Sequence, residues 1–277
     1  MNVMKRSIVL IAVGAAIVLL IAFCALFAPQ LTAIDPNEMH LPDRLQAPSS
    51  VHFFGTDENG SDIFSRMLYG SRVSLIVGFS VVLISGVIGL LLGSLAGFFG
   101  GTIDFVITRM MDMLYAFPGF LLALSLVAVL GPSLKNLIIA MCVTGWGGFA
   151  RLVRGEMLYL REKEYVLTAR ALGAGACRQI VMHIWPNLLG LVLVQATFAM
   201  AGTITAEAGL SFLGLGVPST IPTWGALLNS GRKFLSEAPY LSLIPGLGIV
   251  LLVFGLNIFG DGLRALLDPR QKSQKSR

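Results

Sequence analysis

The chain has 277 residues, of which 55% are apolar and only 13% charged, with a formal net charge of +5 and a mean hydropathy of +0.80. A soluble domain carries roughly a quarter charged residues, and here the apolar positions come in long unbroken runs. The composition therefore excludes a water-soluble globular fold and implies an all-α integral membrane protein. The positive balance reads as topology and lipid headgroup contact rather than as nucleic-acid binding.

Crossing the hydrocarbon core takes about 20 residues of helix, because each residue rises only about 1.5 Å. Six spans are predicted, over 8–28, 73–99, about 110–131, 135–150, 188–208 and 241–263. The first follows Lys5 and Arg6 and ends at Phe27-Ala28-Pro29. Its apolar core is longer than the roughly 7–15 residues of a signal peptide, so it reads as an uncleaved helix. The third is expected to begin between Arg109 and Tyr115 and to bend at Pro118, since proline removes a helical donor and crowds the preceding turn. The fourth is expected to end among Gly145, Gly147 and Gly148.

Along the second span Gly78, Gly86, Gly89, Gly93 and Gly97 recur three or four residues apart, apart from the longer first step. Small residues at such spacing line one helix face and let backbones approach closely. Cys24, Cys142 and Cys177 sit in or beside apolar stretches without metal-ligand spacing, and read as small hydrophobes in helix packing rather than as disulfide partners. With the N-terminus placed in the cytoplasm, fourteen of the 20 Lys and Arg fall on cytoplasmic segments, which favours both ends inside.

The segment 151–187 is the longest expected cytoplasmic stretch. Glu164 to Leu172 is expected to be helical, with Gly173 stopping it. A second short helix should follow from about Ala176 to Trp185, ended by Pro186. Two helices about a glycine turn form a compact knob, and small residues on it permit close docking. On residues alone a basic interfacial loop is an equal reading. Elsewhere Asp57 or Ser61 is a possible helix cap. The aspartate spacing around them lacks the downstream glutamate of a calcium loop. Glu207, at the outer end of the fifth span, is a carboxylate in an expensive place. It and Ser211 are candidate pathway or gate residues, the alternative being a paired or wetted helix-end carboxylate.

These stretches carry a family resemblance. The 151–187 segment resembles the coupling loop of ABC importer permeases, with the family's glycine at Gly173 and its proline at Pro186. Leu167-Thr168-Ala169 stands where the family has Glu-Ala-Ala, and His183 and Trp185 where it has Ile and Leu. The run Glu164-Tyr165-Val166, then Ala169-Arg170-Ala171-Leu172-Gly173-Ala174, is similar to the dipeptide, oligopeptide and nickel branch. So are Phe54-Gly55-Thr56-Asp57 with Tyr69-Gly70-Ser71-Arg72, Glu207-Ala208-Gly209-Leu210-Ser211-Phe212-Leu213-Gly214 with Pro222-Thr223-Trp224-Gly225, and Gly260-Asp261-Gly262-Leu263-Arg264.

The resemblance implies a type I importer permease fold. It has an N-terminal helix and extracytoplasmic segment over 1–72, a five-helix core over 73–267, and a basic cytoplasmic tail over 268–277. It implies an ATPase-coupling role for Glu164, Ala169, Arg170, Ala171, Gly173, Ala174 and Pro186. Implied partners are a second related permease forming a heterodimer, two ATPase subunits holding ATP and Mg, and an extracytoplasmic substrate-binding protein. The implied location is a bacterial cytoplasmic membrane, and the implied cargo is a di- or oligopeptide, with a nickel chelate as the alternative.

The chain itself has no phosphate-cradling Gly-x-x-x-x-Gly-Lys-Ser/Thr loop, so ATP hydrolysis is expected on other chains. No His-Glu-x-x-His is present, and His40, His52 and His183 are scattered. No cofactor or metal is therefore expected here, and the chain is not expected to be an enzyme. An ion-coupled secondary transporter is the rival of a different class. The span interiors carry almost no charge, whereas such a mechanism uses ionisable residues at the midplane.

Overall fold

The computed structural model of the chain describes residues 3–218 and 220–267. The expected basic tail, 268–277, lies outside the described residues. Nine principal helices run in order: α1 (Val3–Leu26), α2 (Ile63–Phe99), α3 (Gly101–Tyr115), α4 (Gly119–Leu130), α5 (Leu134–Leu160), α6 (Glu164–Ala171), α7 (Trp185–Phe212), α8 (Trp224–Gly231) and α9 (Tyr240–Leu267). Among the described residues there is no β-strand, only an isolated bridge between Thr56 and Asp62. Five helical runs are long and apolar enough to cross a membrane, and α3 with α4 makes a sixth, bent pair. Each expected span has its counterpart, but four boundaries differ for identifiable reasons.

The second span begins at Ile63 rather than 73, because Asp62 caps it by accepting from the Ser65 amide at 2.7 Å. Neither Asp57 nor Ser61 is the cap. The Asp57 carboxylate instead closes a turn onto the amides of Asn59 and Ser61, at 2.8 and 2.9 Å, and pairs with Arg66. Consequently α2 is continuous through the expected boundary between Arg72 and Val73.

The third span is a break rather than a bend. α3 starts directly after Gly100, whose φ of 68° reverses the chain, and α4 leaves it at 83° around Pro118. At about 1.5 Å per residue, the 12 residues of α4 cover only about 18 Å, too short to cross alone.

α5 runs on to Leu160, well past the glycines expected to end it. Those glycines are interior positions that admit neighbours. A Cβ at Gly145 would meet the Ser85 hydroxyl, and one at Gly147 would meet the Tyr115 ring. Pro186 does not end a helix either. It occupies the first turn of α7, where a missing amide leaves nothing unbonded. A short turn, Ala176–Arg178, and a π-helical segment, Gln179–Ile184, lead into it without interruption.

Two helix pairs organise the bundle. α2 and α5 run parallel, with Gly89 against Phe149 and Ala150, Gly93 against Ala150 and Val153, and Gly97 against Met157. The expected glycine stripe is thus split between two neighbours, because Gly78 faces Met200 and Ile204 on α7 instead. α1 and α9 run antiparallel, with Gly14 against Gly255 and Phe259, Gly255 against Ile17, and Gly262 against Ile11. The start of α1 and the end of α9 therefore share one face with α6. The opposite face carries 27–62 and the α7–α9 connection. Cys142 is buried and Cys24 half-buried, but Cys177 is exposed near α6, so helix packing does not account for it; all three are free thiols.

Candidate coupling knob and outer carboxylate junction

α6 is seated by its apolar face. Val166 is buried with Met157, Ile180 and Ile184 in one cluster, and Ala169 also turns inward. The helix ends in a Schellman motif. The Gly173 amide donates to the Arg170 carbonyl and the Ala174 amide to the Ala169 carbonyl, both at 3.0 Å. This turn requires the left-handed backbone that Gly173 adopts, at φ 87°. Gln179 secures it from the far side, donating to the Ala174 carbonyl at 2.6 Å.

What the turn presents outward is small and open. Arg170, Ala171 and Gly173 are exposed, and a Cβ on Gly173 would meet nothing within 4 Å. Beside them Leu172 is 83% exposed, the most exposed of the large apolar side chains on α6 and its turn. Glu164 is exposed at the start of α6, and Pro186 is exposed at the far end of the connection. Of the residues expected to act together, Arg170, Ala171 and Gly173 form one surface, Ala169 and Ala174 build the turn beneath it, and Glu164 and Pro186 flank it.

Two polar ties join this knob to the bundle, and a third braces α3 against α5. The Trp185 indole donates to the Ser94 hydroxyl at 3.0 Å. Arg161, immediately after α5, donates to the Gly97 and Phe98 carbonyls at 2.9 and 3.3 Å. These are carbonyls of the last turn of α2, which lack helical donors and attract a cation. Arg154 holds Asp104 of α3 in a two-pronged ion pair, with Nη2 donating to Oδ2 at 2.7 Å. Near the break of α3 from α4, the Arg151 guanidinium stacks over the Tyr115 ring at 4.1 Å.

On the opposite face Glu207 is completely buried near the end of α7. Ser211 donates to one carboxylate oxygen at 2.8 Å and Ser74 of α2 to the other at 3.3 Å, with the buried Thr223 side chain beside them. Thr223 also caps α8 by accepting from the Ala226 amide at 3.1 Å. The Trp224 indole donates to the Met67 carbonyl at 2.9 Å, and Gly225 lies against Ala208 and Ser211. Glu207 thus ties α2, α7 and the start of α8 at one point. A buried carboxylate is tolerated only where donors converge on it. Ser211 additionally borders a cavity of about 700 Å³ that opens on this face. Among the described residues no cluster of three or more His, Cys, Asp or Glu is placed to hold a metal ion.

Residues 89–273 match the family described as the binding-protein-dependent transport system inner membrane component. The chain belongs to this family. The matched stretch spans the last third of α2, the broken pair, the knob, the Glu207 junction and α9. The permease is 45% identical to the dipeptide transport system permease protein DppC of Alkalihalophilus pseudofirmus, over 94% of this chain and 86% of that one. It is 41% identical to the oligopeptide transport system permease protein OppC of Bacillus subtilis, over 96% of this chain and 87% of that one. An inward-facing structure of the MetNI methionine ABC transporter superposes with a TM-score of 0.58 at 19% identity, covering 72% of this chain and 94% of that one. That likeness shows the type I importer permease fold.

Sequence reasoning missed Arg154, Arg161 and Asp104, because the two arginines were counted only as topology charges. Their seven-residue separation, two turns along one helix face, was the available signal once α5 is continued past Ala150. Ser74 and Thr223 left no local signal, since Ser74 lies 133 positions from the carboxylate it serves.

Proposed function

We propose that this permease forms one half of the translocation pathway of an ATP-driven, binding-protein-dependent importer of di- or oligopeptides. It pairs with a second, related permease, and two separate ATPase subunits bind ATP and Mg. An extracytoplasmic binding protein delivers the cargo. The knob face is cytoplasmic, in keeping with the fourteen basic residues assigned there. Residues 1–72 supply an N-terminal helix, an extracytoplasmic segment and the first ten residues of α2, ahead of a five-helix core over 73–267, with α2 continuous across that boundary.

The observation that carries the coupling role is the open left-handed turn at Gly173, beside exposed Leu172. Closure of the ATPase subunits pushes on this knob, and Arg161, Trp185 and the Arg154–Asp104 pair pass the motion to α2, α3 and α7. Glu207 and Ser211 act on the opposite side, holding the pathway's outer end together in one state. The peptide assignment rests on the dipeptide and oligopeptide permeases to which the chain is similar.

The test is reconstitution with the co-expressed partner subunits and receptor in proteoliposomes, following labelled dipeptide uptake. Uptake should require both ATP and receptor. Uptake driven by an ion gradient alone, or import of nickel but not peptide, would refute the reading. Gly173→Val should retain ATP hydrolysis while losing transport, and Gly173→Asn should be milder because asparagine tolerates the left-handed region. Undiminished uptake by Gly173→Val would refute the coupling role.

A further inference from the structure

The cavity on the outer face combines size, openness and an unusual charge arrangement. Its volume of about 700 Å³ falls within the roughly 300–1,000 Å³ of small-molecule sites. Its lining comes from the segment before α2, from the α7–α8 connection, and from α8 with the turn after it. Apolar side chains such as Met39 and Val217 share the lining with the amides of Asn37, Asn59 and Asn229.

Three charged residues line this cavity, namely Glu58, Arg66 and Lys233. The Arg66 charge is taken up by Asp57. The side chains of Glu58 and Lys233 make no ion pair or hydrogen bond among the described residues. One uncommitted charge of each sign thus remains in the lining, Glu58 on the segment before α2 and Lys233 on the turn after α8. A single anion or cation would use only one of them. A bare metal ion would find one carboxylate and a repelling ammonium. A short zwitterion uses both, with its backbone amides matched by the asparagines.

We propose that this cavity is a binding site for the free termini of a short peptide. Glu58 accepts hydrogen bonds from the peptide ammonium, and Lys233 donates to the peptide carboxylate. The permease itself thereby holds cargo at its outer face, beside the Glu207–Ser211 junction, and adds a second check on charge at both ends of the peptide. This inference rests on the peptide-import reading above.

The test uses the assembled transporter in nanodiscs without receptor, and equilibrium dialysis against labelled Ala-Phe, N-acetyl-Ala-Phe and Ala-Phe-amide. Ala-Phe should bind saturably, and the blocked peptides about tenfold more weakly, for the loss of one charge-assisted contact each. Glu58→Gln should weaken Ala-Phe by a similar factor and leave the acetylated peptide unchanged. Lys233→Met should do the same for Ala-Phe and leave the amide unchanged. Neither substitution removes an internal contact, so both variants should fold. Variants that bind all three peptides as the wild type does would overturn the site. So would an equal loss for every peptide. Wild-type uptake is measured in parallel. If the complete transporter imports no peptide, the functional reading fails and the site with it; if it imports peptide while both variants bind normally, the site fails alone.

Discussion

Replacing Gly93 by alanine tests the parallel seam between α2 and α5 directly. A Cβ there would lie 2.6 Å from the Ala150 carbonyl oxygen and 2.8 Å from the Val153 Cβ. Carbon contacts are comfortable at about 3.5–4.0 Å, so the two helices must part by about 1 Å. Overpacking of this kind costs about 1–3 kcal/mol. Alanine also has the better helix propensity, by about 1 kcal/mol, which would mask part of the effect. Gly86 supplies the control, since a Cβ there would meet only the Phe149 ring at 3.8 Å, an ordinary contact. The propensity gain is common to both sites and cancels in the comparison. Gly93→Ala should therefore be less stable than Gly86→Ala by about 1–3 kcal/mol. Equilibrium unfolding of the purified proteins in mixed micelles, followed by circular dichroism, reads that difference. Two variants within about 0.5 kcal/mol of each other would mean that the seam yields, and the close-packing argument would fail.

Other outcomes follow from the polar ties. A double-mutant cycle of Arg154→Met and Asp104→Asn should give a coupling energy of about 1–2 kcal/mol in the same unfolding assay; additive effects would mean that the pair does not brace α3 against α5. Glu207→Leu should strand the hydroxyls that serve the carboxylate, at about 1–3 kcal/mol for each one left unbonded. Glu207→Gln keeps an acceptor and should be milder. Protease resistance of the membrane-inserted chain reports both, and a leucine variant as resistant as the wild type would contradict the junction. Trp185→Phe should lower uptake more than it lowers folded protein, because it removes the indole donor to Ser94 while keeping an aromatic ring; equal losses would make that tie purely structural.

The spans were legible because crossing a bilayer demands a length of apolar helix that sequence displays directly. The Schellman turn was legible for a similar reason, since glycine is the residue best suited to the left-handed backbone at Gly173. The end of α5 was not legible. Its last turns are held by Gly93 and Gly97 of α2, by Asp104 of α3 and by carbonyls of Gly97 and Phe98, all distant in sequence. Pro186 misled because proline ends one helix and begins another with equal ease, and local sequence did not show which. Glu207 was conspicuous as a carboxylate in an apolar stretch, but its role depends on Ser74 and Thr223, which only the fold brings to it.

The uninterrupted passage through Pro186 has a mechanical consequence. Because α7 continues the connection from α6, the residues from Trp185 to Glu207 form a stiff rod of about 33 Å, at about 1.5 Å per residue. A tilt of about 5° at its lower end swings the upper end by about 3 Å. That exceeds the slack in the Ser74 hydrogen bond, already 3.3 Å long. On the proposed coupling, a small push at the knob would therefore be felt across the membrane as strain on the Ser74–Glu207 bond.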